Sequence, residues 1–210
     1  MTKTAPVQHQ GTSISGSHAQ HGVKFLKEFL TQPSKIGAVA PTSERLCRKM
    51  IDGVDFGACS AIVEYGPGTG VLTDQIVPNL KRGCTFFAIE LNPTLAQIWR
   101  GRHPGRTLYT DSASNIASLC EREGVEKIDV IFSGLPWASF PEPLQREILD
   151  ATLPMLKPGG KLITFAYQVG RFTPAGRRFA KLVRTYFSKI EHSEMVWRNI
   201  PPGFVIRATK

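Results

Sequence analysis

Three glycines at alternate positions, and acids at the ends of successive apolar runs, define the chemistry open to this chain. Glu64-Tyr65-Gly66-Pro67-Gly68-Thr69-Gly70 follows directly on Ala61-Ile62-Val63. A strand running into such a loop brings backbone close to a small molecule, because glycine has no β-carbon in the way. The spacing narrows the ligand. A dinucleotide fingerprint needs its third glycine where this chain has Val71, and no Lys-Ser or Lys-Thr follows to complete a phosphate loop. What remains is a strand-loop-helix that holds a nucleoside without a pyrophosphate cradle. Thr85-Phe86-Phe87-Ala88-Ile89 then reads as a buried strand ending at Glu90, 20 residues past Gly70. An acid at that tip is placed to accept ribose hydroxyls, and its place outside the core predicts little contribution to stability. Thr107 to Thr110 ends similarly at Asp111, with Ser112 and Ala113 behind it. A fourth strand, 128–133, ends in Ser133-Gly134-Leu135-Pro136-Trp137, where open α/β sheets bind their ligands.

The loop Glu64 to Gly70 with its acid partners resembles motif I of class I S-adenosylmethionine-dependent methyltransferases. That resemblance implies a cofactor site of Glu64, Tyr65, Gly66, Gly68, Thr69, Gly70, Glu90, Leu91, Asp111, Ser112, Ala113 and Ser133, with Asp111 at the adenine amino group. It implies S-adenosylmethionine as cofactor and S-adenosylhomocysteine as product. Ser133 to Trp137 resembles the Asn-Pro-Pro-Tyr or Asn-Leu-Pro-Tyr loop of enzymes that methylate amino nitrogens, with Gly134 in place of Asn and Trp137 in place of Tyr. Backbone carbonyls near Gly134 and Leu135 must then accept more of the amine's hydrogens. A Trp face suits a reaction that begins with a sulfonium and ends with an ammonium, through a cation–π attraction of roughly 0.5–2 kcal/mol. The amine attacks in its neutral form, which a closed pocket favours by desolvation. Tyr65, Tyr167 and Glu64 are candidates for accepting or orienting a proton. Most of the rate gain falls to in-line positioning.

The elements that must carry these loops alternate along the chain. Strands at 61–65, 85–90, 107–110, 128–133 and 160–166 are separated by helical patterns such as Thr73 to Leu80, Pro93 to Arg100 and Pro143 to Met155. That order predicts an α/β, Rossmann-like and mostly parallel sheet covered by helices on both faces. The turn Lys157-Pro158-Gly159-Gly160 launches the fifth strand, and Pro174 to Ile190 is a helix whose stripe of Phe179, Leu182, Val183, Tyr186, Phe187 and Ile190 covers the sheet. Ile190 to Trp197 and Phe204 to Ala208 then break the alternation as an antiparallel pair around Asn199 to Gly203, for seven strands in all.

Composition bears on the partner. At 210 residues with a net charge of +9 and a pI near 9.6, the chain suits one domain with an anionic partner. The charge is uneven: +5 over residues 1–51, −4 over 52–160 and +8 over 161–210. Cys47, Cys59, Cys84 and Cys120 have no metal-type spacing and read as reduced thiols of a cytosolic protein, with no metal expected. Residues 1–17 read as a flexible polar tail without the apolar core of a signal peptide. Residues 18–52 read as N-terminal helices and 53–210 as the main domain. From His18 to Thr31, Val23, Leu26, Phe29 and Leu30 recur at helical spacing beside Lys24, Phe25 and Lys27, the pattern of a basic helix lying in a bilayer interface. Ser43 reads as the N-cap of a helix through Leu46, Cys47, Met50 and Ile51.

A closer resemblance joins Phe25 to Leu30, Ile36 to Ser43, Val63 to Gly70, Ser133 to Pro136 and Asn199 to Pro202. Together they look like the bacterial phospholipid N-methyltransferases, over about residues 22–208. Membership implies methylation of the headgroup amine of phosphatidylethanolamine, in succession towards phosphatidylcholine, or of a related aminolipid such as ornithine lipid. It implies peripheral attachment to the inner face of the cell membrane. Lys24, Phe25, Lys27, Phe29, Lys35, Arg177 and Arg178 would meet anionic phospholipid, and Trp137 and Tyr167 the acceptor. The linker Ile36 to Ser43 would form part of a lid. Trp137-Ala138-Ser139 departs from the aliphatic pair common in that family. The alternatives are a ribosomal RNA adenine dimethyltransferase, although Gly134 replaces its Asn, and an adaptor on a dead methyltransferase fold. Nucleic acid is the less favoured partner.

Overall fold

The computed structural model describes residues 43–210. Its frame is a seven-stranded sheet of β1 (Ala61–Tyr65), β2 (Thr85–Ile89), β3 (Thr107–Tyr109), β4 (Ile128–Ser133), β5 (Leu156–Tyr167), β6 (Lys189–His192) and β7 (Gly203–Thr209). The strand order is β3-β2-β1-β4-β5-β7-β6, with β7 antiparallel to both its neighbours and the other pairings parallel. The chain therefore reverses direction of travel across the sheet between β1 and β4. The carboxyl ends of those two strands mark a topological switch point, where open α/β sheets form their ligand crevice.

Why the middle strands sit inside is plain from their side chains. β1 and β4 are buried along their whole lengths, as strands covered on both faces must be. One apolar layer combines Val63, Phe87, Ile131, Ile148, Leu149 and Phe179; the other combines Ile62, Ala88, Trp99, Phe132, Ile163 and Val205. The helices are α1 (Glu44–Ile51), α2 (Thr73–Ile76), α3 (Pro93–Arg102), α4 (Ile116–Arg122), α5 (Glu142–Met155) and α6 (Pro174–Tyr186). Ser43 caps α1, its Oγ accepting from the Leu46 N–H at 3.3 Å, and Leu46, Cys47 and Met50 join the second layer. This helix is thus built into the sheet's cover. Asn92 and Thr173 cap α3 and α6 in the same way.

The expected mostly parallel sheet and terminal antiparallel pair are present, with local differences. The helix expected from Thr73 to Leu80 stops at Ile76 and continues as a 3₁₀ turn over Val77–Asn79, because Pro78 has no N–H for an α-helical bond. β5 begins at Leu156, so the Lys157 to Gly160 corner lies within the strand, with a register shift against β4 and Gly159 at φ 75°. β6 ends at His192, short of the expected Trp197. Residues 193–202 instead form a pinned loop: Ser193 Oγ accepts from Val205 N at 2.9 Å, and Asn199, buried, accepts from Ser43 N at 3.1 Å and donates to the Pro201 carbonyl. The stripe on α6 covers the sheet as expected, with Phe179, Leu182 and Val183 buried. All four cysteines are free. The expected tail and amphipathic segment, including Lys24, Phe25, Lys27, Phe29 and Lys35, and the linker from Ile36 to Thr42, lie outside the described residues.

Candidate active site

The loops after β1 and β4 touch across the switch point, and glycine makes that possible. Gly134 N donates to the Tyr65 carbonyl at 2.7 Å, and Gly66 N to the Ile89 carbonyl at 2.8 Å. A β-carbon on Gly134 would stand 2.5 Å from the Gly66 carbonyl oxygen. Asn could not occupy this position without parting the loops, which gives a steric reason for the departure at Gly134. Gly66, Gly68 and Gly70 all have positive φ, at 61°, 58° and 92°. At Gly70 a β-carbon would run into His103, whereas at Gly68 it would enter open space. The first is closed by packing; the second faces the crevice.

Two carboxylates flank this loop in different states. Glu90 is 5% exposed, its Oε2 accepting from Gly68 N at 3.1 Å and its Oε1 from Asn92 N at 2.8 Å. Burial raises its pKa, against the opposing pull of those N–H groups. It ties the glycine loop to the second strand and keeps lone pairs for a ligand, so it carries more structure than an exposed strand-tip acid. Glu64 is fully buried; its Oε2 accepts from Thr73 Oγ1 at 2.6 Å and its Oε1 has no partner. Burial, with smaller contributions from Glu90 and Asp74 and against the Thr73 bond, pushes this carboxyl up to about 8. An orphaned acceptor inside protein is costly unless a donor arrives, which is what a cofactor carrying N–H groups would bring.

Several supports were not legible beforehand. Trp99 Nε1 donates to Thr73 Oγ1 at 2.7 Å, extending the Glu64 bond into a relay on α3. Arg102, also on α3, bonds the Thr69 carbonyl and pairs with Asp74. The helix pattern over Pro93 to Arg100 announced a cover for the sheet but nothing of this brace. Asp111 Oδ1 accepts from Ser112 N and Asn115 Nδ2, both at 2.7 Å, and Ser112 caps the following 3₁₀ turn of Ala113–Asn115. Ser112 and Ala113 are buried and Leu91 half-buried behind Glu90.

The aromatic candidates separate. Tyr65 is corrected as a proton acceptor: its ring is fully buried and its hydroxyl sits 3.1 Å from Thr152 Oγ1 on α5, with burial raising its pKa far above the usual range. Its backbone alone reaches the loops. Trp137 is 2% exposed, donates from Nε1 to Ser133 Oγ at 3.0 Å and stacks on Phe179 with centroids 5.2 Å apart. One indole face is therefore committed to packing. What remains of Trp137 lines a cavity of 630 Å³ together with Gly134, Leu135, Tyr167, Phe165 and Phe204. Arg171, Arg177, Arg184 and His192 also line it, and no carboxylate does. Among the described residues, none of these arginines has an ion-pair partner within 4 Å. Arg171 lies over the Phe204 ring at 5.2 Å. Burial, then the charges of Arg171 and Arg184, lower the His192 pKa. Arg178, expected beside Arg177, is exposed and does not line the cavity.

No protein-family model matches the chain. An ornithine lipid N-methyltransferase of Singulisphaera acidiphila is 26% identical over 186 residues, spanning 78% of this chain and 97% of that protein. A ribosomal RNA small subunit methyltransferase A of Chlorobium phaeobacteroides is 27% identical over 82 residues, 39% of this chain and 30% of its own. Among solved structures, an O-methyltransferase of Bacillus cereus in complex with S-adenosylhomocysteine superposes with TM-score 0.62 at 18% identity, over 94% of this chain and 93% of that one. The O-methyltransferase TomG of Streptomyces achromogenes, in complex with S-adenosylmethionine, gives 0.63 at 15% identity over 93% and 91%. With this strand order, a glycine loop after β1 and an acid after β2, the chain has the class I S-adenosylmethionine-dependent methyltransferase fold.

Proposed function

We propose that the chain transfers methyl groups from S-adenosylmethionine to the headgroup amine of an aminolipid at a membrane surface. The observation that carries this reading is the cavity behind Gly134 and Trp137: apolar walls, three arginines and, among the described residues, neither an ion-pair partner for them nor a carboxylate in the lining. An apolar chain with an anion a few bonds from an amine matches that lining; phosphatidylethanolamine offers a phosphate and ornithine lipid a carboxylate. The amine end would then lie at the Gly134 loop.

The residues of the crevice suit the cofactor. Glu90 has acceptor capacity for ribose hydroxyls, Glu64 an unpartnered oxygen for an N–H donor, and Gly68 leaves room for a close backbone approach. When bound, S-adenosylmethionine supplies an electrophilic methyl on a sulfonium. The chain's own contribution is to hold the acceptor in line with it and dry. The Gly134 carbonyl, to which no described residue donates, can accept a hydrogen from the amine, and the apolar walls keep the amine neutral by desolvation. No described carboxylate lines the acceptor cavity; the proton released by the methylated amine has the His192 imidazole, which lines the cavity, and solvent at its mouth to go to.

The test offers labelled S-adenosylmethionine with phosphatidylethanolamine vesicles, ornithine-lipid vesicles and ribosomal RNA in separate reactions. Label in either lipid supports the reading and names the headgroup. Label confined to RNA overturns it, and label nowhere favours an adaptor.

A further inference from the structure

Five large apolar side chains stand exposed among the described residues: Ile98, Val169, Phe172, Trp197 and Ile200. Four of them crowd two loops. Val169 and Phe172 belong to the 3₁₀ segment Gln168–Phe172 that follows β5, and Trp197 and Ile200 to the loop that precedes β7. The loops meet, since Gln168 N donates to the Pro202 carbonyl at 2.8 Å, and they meet at the cavity, which Val169 and Pro201 both line. Neither is slack. Asn199 is buried and bonded on both sides, and Thr173 Oγ1 donates to the Gly170 carbonyl at 2.8 Å. The exposure is therefore held in place: Phe172 is 72% exposed, Trp197 67% and Ile200 84%.

Charge surrounds these tips. Arg171 and Arg198 lie within the two loops, Arg177, Arg178 and Lys181 follow on α6, and residues 161–190 contain no acid. Apolar tips with cations in the same loops and on the following helix, against a single acid, Glu194, in the 193–202 loop, fit an interface in which the tips enter the acyl region and the cations meet lipid phosphates. We propose that the loops 168–172 and 197–202 form the docking surface for an anionic bilayer and seat the cavity mouth against it. The docking rests on the loops themselves; only its purpose rests on the aminolipid reading. A bound orientation of this kind lets a headgroup enter the cavity while its chains stay in lipid.

Tryptophan reports on it directly. Trp99 and Trp137 are buried and Trp197 is the exposed one of the three. With the full chain, vesicles of phosphatidylglycerol and phosphatidylcholine should shift Trp emission to the blue and shield it from acrylamide, whereas phosphatidylcholine alone should do so much less. Trp197→Phe should abolish the change. Phe172→Ser with Ile200→Ser should weaken vesicle binding about 30-fold or more, since each large apolar side chain withdrawn from lipid costs a factor of about five or more. The same double variant should methylate a short-chain, water-dispersed aminolipid at the wild-type rate while losing turnover on vesicles. The proposal is overturned if Trp197 stays equally quenchable with anionic vesicles, or is already shielded before lipid is added by residues 1–42 or a second copy. It is also overturned if the double variant binds vesicles as wild type, or loses both activities equally. Vesicle docking without any methyl transfer to lipid leaves docking standing and sinks the substrate reading.

Discussion

On the β1–β3 side of the switch point, the groups proposed to meet a ligand are backbone positions of one loop and acids at or near the strand ends: Gly66, Gly68, Glu64 and Glu90. On the β5–β7 side they are side chains gathered from four separate segments, among them Trp137, Tyr167, Arg184 and Phe204. Residues 52–160, which carry β1 to β4, are net −4 in sequence, and residues 161–210 are +8. A cofactor whose shape is fixed can be met by fixed backbone. The proposed acceptor, with an apolar tail and an anion, would be met by packing and by charges that converge only in three dimensions.

The sharpest way to break the comparison is at the seam. Gly134→Ala places a β-carbon 2.5 Å from the Gly66 carbonyl and must part the two loops. Turnover should fall about 100-fold or more, because misplacing reacting groups by an ångström is that costly; steady-state kinetics beside a thermal melt separates this from unfolding. Next is Glu90→Gln, which keeps the shape but weakens the bonds from Gly68 N and Asn92 N and the ribose bonds proposed for Glu90. Cofactor affinity should drop about tenfold to 100-fold by calorimetry, in line with hydrogen bonds to a charged group, with some loss of stability as the loop tie weakens. Wild-type affinity in a destabilised variant would make Glu90 structural alone.

Arg184→Gln probes the other side. The acceptor KM should rise about fivefold, as expected from roughly 1 kcal/mol per cation near an anion, with cofactor affinity unchanged. An equal loss of cofactor affinity would erase the division between the two regions.

Glu64 acts on stability rather than on turnover, and its effect depends on pH. Its folded pKa lies above its ordinary value of 4.5, at about 8. Below 4.5 the carboxyl is protonated in folded and unfolded chains alike and costs nothing. Between 4.5 and 8 the unfolded chain ionises while the folded one resists, so stability without cofactor falls as pH rises. Glu64→Gln should flatten that slope, raising Tm by several degrees or more at pH 8 and leaving it unchanged at pH 4, as scanning calorimetry would record. An unaltered slope would place the strain elsewhere.

Much of the cofactor side was legible because its information is local. A run of buried β-formers, then glycines, then an acid 20 residues on, states a strand-loop-helix wherever it occurs. The steric role of Gly134 was half visible: its departure from Asn stood in the sequence, but the Gly66 carbonyl that forbids a side chain did not. Tyr65 misled because its place next to Gly66 says nothing of the direction of its ring, which strand alternation turns into the core towards Thr152. Trp99 and Arg102 were hidden by distance along the chain, since their bonds reach back to Thr73 and Thr69.

The sequence by itself determined the order of strands and helices, the glycine loop with its acids, and a basic C-terminal third, because period, turn chemistry and charge are properties of neighbouring residues. Only the tertiary structure decided which carboxylate is left with an unpartnered oxygen, which face of Trp137 is spent on packing, and that Arg171, Arg184 and His192 share one cavity with the Gly134 loop. Those facts depend on which segments the sheet brings side by side, and long-range packing sets that placement.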